Sequence, residues 1–167
     1  MAGSINDILP QPISQENEDV IQDLLKRKMA VSLDLAVELL HAMEKRFGPE
    51  VREVLQQMAI EQEFPPEDEV GVPNEDLRKF CIMIDHAAAG SHRWEKVIEE
   101  PDRIGYQVSR CMYAEILREL GEPDLGLVMC ARDGPWVKSY NLKLGFQRTK
   151  TLMEGDEFCD HIFLVDD

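Results

Sequence analysis

The chain has 167 residues, the length of one domain that is large enough to bury a real core. Its formal net charge of −15 argues against binding to nucleic acid or to an anionic membrane, because both need a basic patch to meet phosphate. No stretch approaches the ~18 apolar residues that span a bilayer, and residues 1–12 lack the order of a secretion signal. We therefore expect a cytoplasmic protein with reduced cysteines, binding neither nucleic acid nor membrane.

Residues 1–15 are rich in proline, serine, asparagine and glutamine, so we expect a flexible N-terminal arm before a single domain over 16–167. Apolar residues then recur at helical spacing until Gly48. A further helix, the third by this reading, follows over 51–58. The stretch up to residue 63 is thus predicted to be a set of helices packed on one another.

An acidic linker is predicted over 67–72, and Pro73-Asn74 opens the next predicted helix. One face of this helix carries four apolar side chains, which are Leu77, Phe80, Cys81 and Ile84. Cys81 is therefore predicted to lie in the core and to be chemically quiet, because apolar surroundings raise the pKa of a thiol.

Two short strands are predicted on either side of the turn Glu100-Pro101-Asp102, where β-branched and aromatic residues cluster. Ser109 is predicted to cap the helix that follows, with Cys111 in its first turn. Residues 124–140 suit either a strand or a helix, and Gly134-Pro135 interrupts both.

A second hairpin is predicted at the C-terminal end, with strands over 146–153 and 158–165 joined by Glu154-Gly155-Asp156. Strands that arrive in hairpins, with helices gathered at one end, predict an α+β fold. We expect a helical N-terminal half packed with a four-stranded antiparallel sheet built from two hairpins.

Three cysteines in the last third of the chain have polar or charged neighbours, which can make a thiol a nucleophile. Cys111 near a helix start and Cys130 with Asp133 can each also be explained by packing or capping. Strand alternation places Cys159 and His161 on one face and Asp160 on the other. We expect the three cysteines and at least one of Asp133, Asp160 and His161 to line a common cavity.

Arg110 and Arg148 are candidates for holding a substrate carboxylate, because a guanidinium can bind both oxygens. Tyr113 and Trp136 are expected in the core or a pocket wall, and Tyr113 is also a candidate for substrate contact. The remaining histidines have no motif around them and are interpreted as structural: His41, His86 and His92. No cofactor is expected, although mixed Cys/His/Asp ligands leave a metal ion such as zinc open; no Cys-x-x-Cys occurs.

An ordered series of motifs over about residues 95–165 resembles one known family. The series is Ser-Arg-Cys-Met-Tyr-Ala-Glu, Arg-Glu-Leu-Gly-Glu-Pro-Asp-Leu-Gly, Cys-Ala-Arg-Asp, Phe-Gln-Arg-Thr-Lys-Thr-Leu-Met-Glu-Gly-Asp and Cys-Asp-His-Ile-Phe. It closely resembles the L-2-amino-thiazoline-4-carboxylic acid hydrolase family. The family commonly has an aromatic residue where this chain has His161.

The resemblance implies a small-molecule substrate and hydrolytic opening of a five-membered cyclic amidine ring to a carbamoylated cysteine. Cys111 or Cys159 would attack the ring carbon between nitrogen and sulfur, with an aspartate or His161 moving protons. Equally, Asp133 or Asp160 would activate water directly. Two other interpretations stay open: a binding or sensory module that uses the same pocket without turnover, and a helical interaction protein. The sequence does not determine the oligomeric state.

Overall fold

The computed structural model of the protein describes residues 2–61 and 76–166. The predicted linker over 67–72 and the predicted helix start at Pro73-Asn74 lie outside the described residues. The fold is α+β, as predicted, with a helical N-terminal half and a four-stranded antiparallel sheet in the C-terminal half.

The N-terminal half is built on helix α1, Gln15–Phe47, which runs without a break to Gly48. Gly48 has a φ of 98°, a value that glycine adopts easily. Helix α2, Val51–Ile60, follows and packs on α1. The sequence counted α2 as a third helix, but the residues before it form a single helix.

The segment predicted as a flexible arm makes specific contacts ahead of α1. Ala2 forms a β-bridge with Trp94, and Ile5 is buried in a short 3-10 helix, Ile5–Asp7. The buried carboxylate of Glu18 accepts hydrogen bonds from Ser4 Oγ at 2.7 Å and from the Ile5 amide at 3.1 Å. The flexibility of the arm stays a prediction.

Helix α3, Leu77–Ala88, begins after Asp76, whose carboxylate accepts a hydrogen bond from the Lys79 amide at 3.0 Å. Its buried face carries Phe80 and Cys81, which are 0% and 1% exposed. The prediction that Cys81 lies in the core is confirmed.

The sheet contains β1, His92–Glu99, β2, Arg103–Cys111, β3, Leu144–Gln147, and β4, Cys159–Val165. Its order is β1-β2-β4-β3, and every neighbouring pair is antiparallel. The predicted strand over 146–153 is wrong beyond residue 147, because the chain leaves the sheet there and residues 152–154 form a 3-10 helix.

Three short helices lie between β2 and β3: α4, Met112–Glu119, α5, Pro123–Ala131, and α6, Asp133–Tyr140. Residues 124–140, which the sequence left ambiguous, are thus helical apart from one linking residue. The predicted cap at Ser109 is wrong, because β2 continues through it and the N-cap is Cys111. One core joins the helices to the sheet and contains the fully buried Phe80, Ile116, Leu117 and Val137.

Across residues 2–61 and 76–166, none of the helices combines the length and the apolar character that crossing a bilayer requires.

Candidate active site

A cavity of about 390 Å³ lies where β2 and β4 meet α4, α5 and α6. Its chemically versatile side chains are three thiols, two imidazoles, a carboxylate and a phenol: Cys111, Cys130, Cys159, His92, His161, Asp133 and Tyr113. The predicted convergence of the three cysteines with Asp133 and His161 is therefore confirmed. The catalytic roles of these residues stay predictions.

Cys111 lies at the point where β2 ends and α4 begins. Burial raises the pKa of its thiol to about 12, although the backbone amides of Ala114 and Tyr113 act in the opposite direction. The thiol therefore carries its proton at neutral pH, and the helix terminus does not make it a ready thiolate.

Cys130 and Asp133 lie at the corner between α5 and α6, where Arg148 reaches both. Arg148 Nη1 donates to Asp133 Oδ2 at 2.6 Å, and Nη2 donates to the backbone carbonyl of Cys130 at 3.2 Å. Burial raises the pKa of Asp133, while the Arg148 charge opposes that shift. Burial likewise raises the pKa of Cys130 to about 11, again against Arg148.

Cys159 begins β4, is 6% exposed, and faces the 3-10 helix Leu152–Glu154. The Leu152 amide donates a hydrogen bond to Cys159 Sγ at 3.2 Å, and the thiol donates to Thr151 Oγ1 at 3.7 Å. The carbonyl of Leu152 accepts a hydrogen bond from Arg118 of α4. Leu152 thus connects the two elements, because its amide bonds Cys159 and its carbonyl is bonded by Arg118.

His161 follows two residues later on the same face of β4 and also lines the cavity. Burial lowers the pKa of its imidazole to about 3, and the Arg148 charge adds to this shift. The ring packs edge-on against Phe146, with centroids 5.3 Å apart. The imidazole is therefore neutral at neutral pH, and its low pKa makes it a weak proton acceptor.

Asp160 points away from these groups, as strand alternation predicts. Its carboxylate accepts hydrogen bonds from the Thr149 amide at 2.8 Å and the Thr149 hydroxyl at 2.6 Å. Burial acts to raise the pKa of Asp160, but these bonds and the Lys150 amide outweigh it and lower the pKa. Asp160 does not line the cavity, and its hydrogen bonds hold the loop before β4. Its catalytic role stays a prediction.

The two predicted substrate-binding arginines are both occupied by protein carboxylates. Arg110 does not line the cavity, and its Nε donates to Glu115 Oε1 at 2.6 Å. Arg148 is committed to Asp133 and does not line the cavity either. Tyr113 does line it, as does Trp136, which was predicted to form a core or pocket wall.

His92 is a site residue that sequence reasoning missed. It starts β1, lines the cavity, and its Nδ1 lies 2.8 Å from Ser91 Oγ. Burial lowers the pKa of this imidazole to about 4. No motif surrounds His92, so the only available signal was its place before a predicted strand. Arg132 and Thr151 also line the cavity and were not predicted.

The described part of the chain contains no ready set of ligands for a metal ion. Within residues 2–61 and 76–166, no three His, Cys, Asp or Glu side chains are grouped closely enough to hold one. Zinc therefore stays a prediction from residue types alone.

One comparison with known protein families covers the part of the chain that forms this cavity. The family model described as L-2-amino-thiazoline-4-carboxylic acid hydrolase matches residues 26–163 of the chain. The chain belongs to this family. No curated protein and no solved structure matches it. The hydrolase-family match begins within α1, well before the motif series that starts near residue 95, and it contains the whole lining of the cavity.

Proposed function

We propose that this chain is a hydrolase that opens the ring of 2-amino-thiazoline-4-carboxylate, or of a closely related cyclic amidine, to a carbamoyl-cysteine-type product. The observation that carries the proposal is one cavity, inside the family match, that gathers three thiols, two neutral imidazoles and Asp133. At about 390 Å³ the cavity has the size of pockets that enclose small ligands.

Cys159 is the thiol that we assign as the nucleophile. An amide N–H aimed at sulfur stabilises negative charge there, and Leu152 supplies such a donor at 3.2 Å. Cys111 and Cys130 have pKa values raised by burial to about 12 and about 11, so they stay protonated near neutral pH. His161 shares a face of β4 with Cys159, but its pKa of about 3 makes it a weaker base than the amidine nitrogen of the substrate, so we assign the thiol proton to that nitrogen.

The reaction follows from this assignment with atoms and charges in balance. The Cys159 thiolate adds to the ring carbon between nitrogen and sulfur, and the proton that left the thiol goes to the ring nitrogen. The bond from that carbon to the ring sulfur breaks, which releases the substrate thiol and leaves the carbon attached to Cys159. Water then adds to this carbon, the Cys159 thiol leaves, and the net change is addition of one water.

One further group of the cavity suits this reaction. We assign Asp133, whose pKa is raised by burial, to exchange protons with water in the second step. In the competing route Asp133 activates water for direct attack on the ring, and no bond to Cys159 forms.

The test is incubation of the purified protein with 2-amino-thiazoline-4-carboxylate. We expect a new free thiol, detected with a thiol-reactive dye, and a product heavier than the substrate by one water, detected by mass spectrometry. Binding of the ring without thiol release would overturn the proposal and favour a binding module.

A further inference from the structure

Helix α1 carries a second apolar stripe on the side that faces away from the core. The core side carries Leu33 and Val37, which are 8% and 5% exposed. Residues spaced by four and seven positions lie on one face of a helix, which turns by about 100° per residue. Five aliphatic residues at these spacings, each between 54% and 74% exposed, form what we call the outer stripe: Val20, Leu24, Val31, Leu35 and Leu39.

The outer stripe is large enough for a protein interface. At roughly 100 Å² for each half-exposed aliphatic side chain, its five residues present about 500 Å² of apolar surface. This is close to the largest apolar patch that monomeric proteins usually keep exposed, about 300–600 Å². The helix has 33 residues, so it is about 50 Å long. With the side chains that flank the stripe, two such helices in contact approach the roughly 800 Å² per partner of stable complexes.

The charge of the outer stripe is balanced, unlike that of the whole chain. Lys28 and Glu38 are the charged residues that fall within its arc, and both are exposed. Within residues 2–61 and 76–166 neither of them has an ion-pair partner. The net charge of −15 disfavours an anionic membrane surface as the occupant. The stripe therefore suits a partner helix that is apolar and carries one charge of each sign.

A second copy of α1 meets this description, because the two charges are placed symmetrically along the stripe. Val31 and Leu35 each lie two positions from position 33, and Lys28 and Glu38 each lie five positions from it. When two copies pack antiparallel about a two-fold axis at position 33, residues equally far from it on opposite sides meet. Val31 then packs on Leu35 of the other copy, and Lys28 lies beside Glu38 of the other copy. A parallel pair would instead place the two copies of Lys28 side by side.

The ends of the helix agree with the antiparallel orientation. Glu16 and Asp19 are exposed acidic residues near its start, and Lys45 and Arg46 are exposed basic residues in its last turn. Antiparallel pairing brings the basic end of each copy beside the acidic start of the other. We propose that the outer stripe is the interface of a homodimer, in which two copies of α1 pack antiparallel around position 33.

Sedimentation equilibrium of the full chain tests this proposal through the mass in solution. At micromolar concentrations we expect twice the 19.1 kDa mass of one chain. Leu35→Lys places two lysines at the centre of the interface, so we expect the dissociation constant of the dimer to rise at least about tenfold. A monomeric mass for the unmodified protein up to about 100 µM, or an unchanged constant in Leu35→Lys, would overturn the proposal. No residue of the outer stripe lines the cavity, so these results do not depend on the hydrolase proposal.

The matched control is Leu142→Lys, the same exchange at an exposed leucine outside α1. Leu142 is 81% exposed and precedes β3. Circular dichroism confirms the folding of both variants, and we expect the dissociation constant of Leu142→Lys to stay within about twofold of that of the unmodified protein. Equal weakening of the dimer by both variants would overturn the assignment of the interface to the outer stripe.

Exchanging the two charges of the stripe tests the antiparallel register. Lys28→Glu and Glu38→Lys each place like charges opposite one another twice in the dimer, so each is expected to weaken it at least about fivefold. General repulsion between acidic chains predicts a tighter dimer for Glu38→Lys, because this variant is less negative. The double variant restores opposite charges and is expected to return to within about twofold of the unmodified protein. A dimer of Glu38→Lys that is as tight as the unmodified one or tighter, or no recovery in the double variant, would overturn this register.

Discussion

The backbone amide of Leu152 lies 3.2 Å from the sulfur of Cys159 and donates a hydrogen bond to it. The carbonyl of Leu152 is also held in place, because Arg118 donates a hydrogen bond to it. The thiol therefore depends on a loop position that α4 helps to fix. This arrangement makes Arg118 a positioning residue that does not line the cavity.

Replacing Arg118 with methionine is expected to loosen this loop while keeping the length of the side chain. Loss of one hydrogen bond to an exposed arginine is expected to lower the free energy of unfolding by about 1 kcal/mol. Turnover is expected to fall about tenfold with little change in KM, because the donor to Cys159 shifts. Steady-state kinetics and urea unfolding measure the two effects.

Arg27→Met is the matched control, because Arg27 lies on α1 and forms an exposed ion pair with Asp23. It is expected to change neither quantity appreciably. Equal turnover in the Arg118 and Arg27 variants would contradict the positioning role.

The two cavity imidazoles predict how stability depends on pH. Burial lowers the pKa of His161 to about 3 and of His92 to about 4, from an ordinary value of 6.5. Below pH 6.5 the unfolded chain therefore takes up protons that the folded protein does not. Stability is complete above pH 6.5 and falls as pH drops towards 4, by about 1–2 kcal/mol per imidazole at pH 5.

The variant His161→Phe removes one of these groups and inserts an aromatic ring beside Phe146. Its loss of stability between pH 7 and pH 5 is expected to be about 1–2 kcal/mol smaller than that of the unmodified protein. Urea unfolding at both pH values measures this difference. His86→Phe, on the exposed side of α3, is the matched control and should leave the pH dependence as it was. Equal slopes in all three proteins would show that His161 is not held neutral by burial.

The ion pair between Arg148 and Asp133 is expected to stabilise one wall of the cavity. Their side chains are 15% and 36% exposed, so the pair is only partly screened by water. Arg148→Met and Asp133→Asn are each expected to cost about 1–2 kcal/mol, and the double variant to show a coupling energy of about 1 kcal/mol. Denaturant unfolding of the four proteins gives the cycle. Additive losses would mean that the pair contributes nothing of its own.

The four cysteines should differ in their reaction with iodoacetamide. Cys81 is 1% exposed, and burial raises the pKa of its thiol to about 11. It does not line the cavity. Mass spectrometry of timed samples should therefore find Cys81 modified at least about tenfold more slowly than Cys159. Earlier modification of Cys81 in the folded protein would be inconsistent with its place in the core.

Much of the fold was predictable, because local patterns decide it. The run from Trp94 to Val108 alternates around a proline turn, so β1 and β2 were expected. Alternation likewise placed Cys159 and His161 on one face of β4. The strand predicted over 146–153 fails after residue 147, where the Leu152–Glu154 segment turns inward to reach Cys159, a tertiary contact that strand propensity does not contain.

The parts of the site that escaped prediction depend on long-range packing. His92 belongs to the cavity only because the fold brings the start of β1 beside Tyr113 of α4, with ring centroids 6.1 Å apart, and no local motif reveals this. Arg110 looked like an anchor for a substrate carboxylate, but Glu115 one helical turn into α4 already pairs with it. Neither helix-capping rules nor charge patterns predict which carboxylate an arginine pairs with.

The central claim is that Cys159 attacks the ring, and the turnover of Cys159→Ser tests it most directly. The matched control is Cys81→Ser, the same exchange at another buried cysteine that lies outside the cavity. With folding confirmed by circular dichroism, we expect ring opening by Cys159→Ser to fall by at least about a thousandfold in kcat. We expect Cys81→Ser to stay close to the unmodified protein. Undiminished ring opening by Cys159→Ser would contradict the covalent mechanism and favour water activated by Asp133.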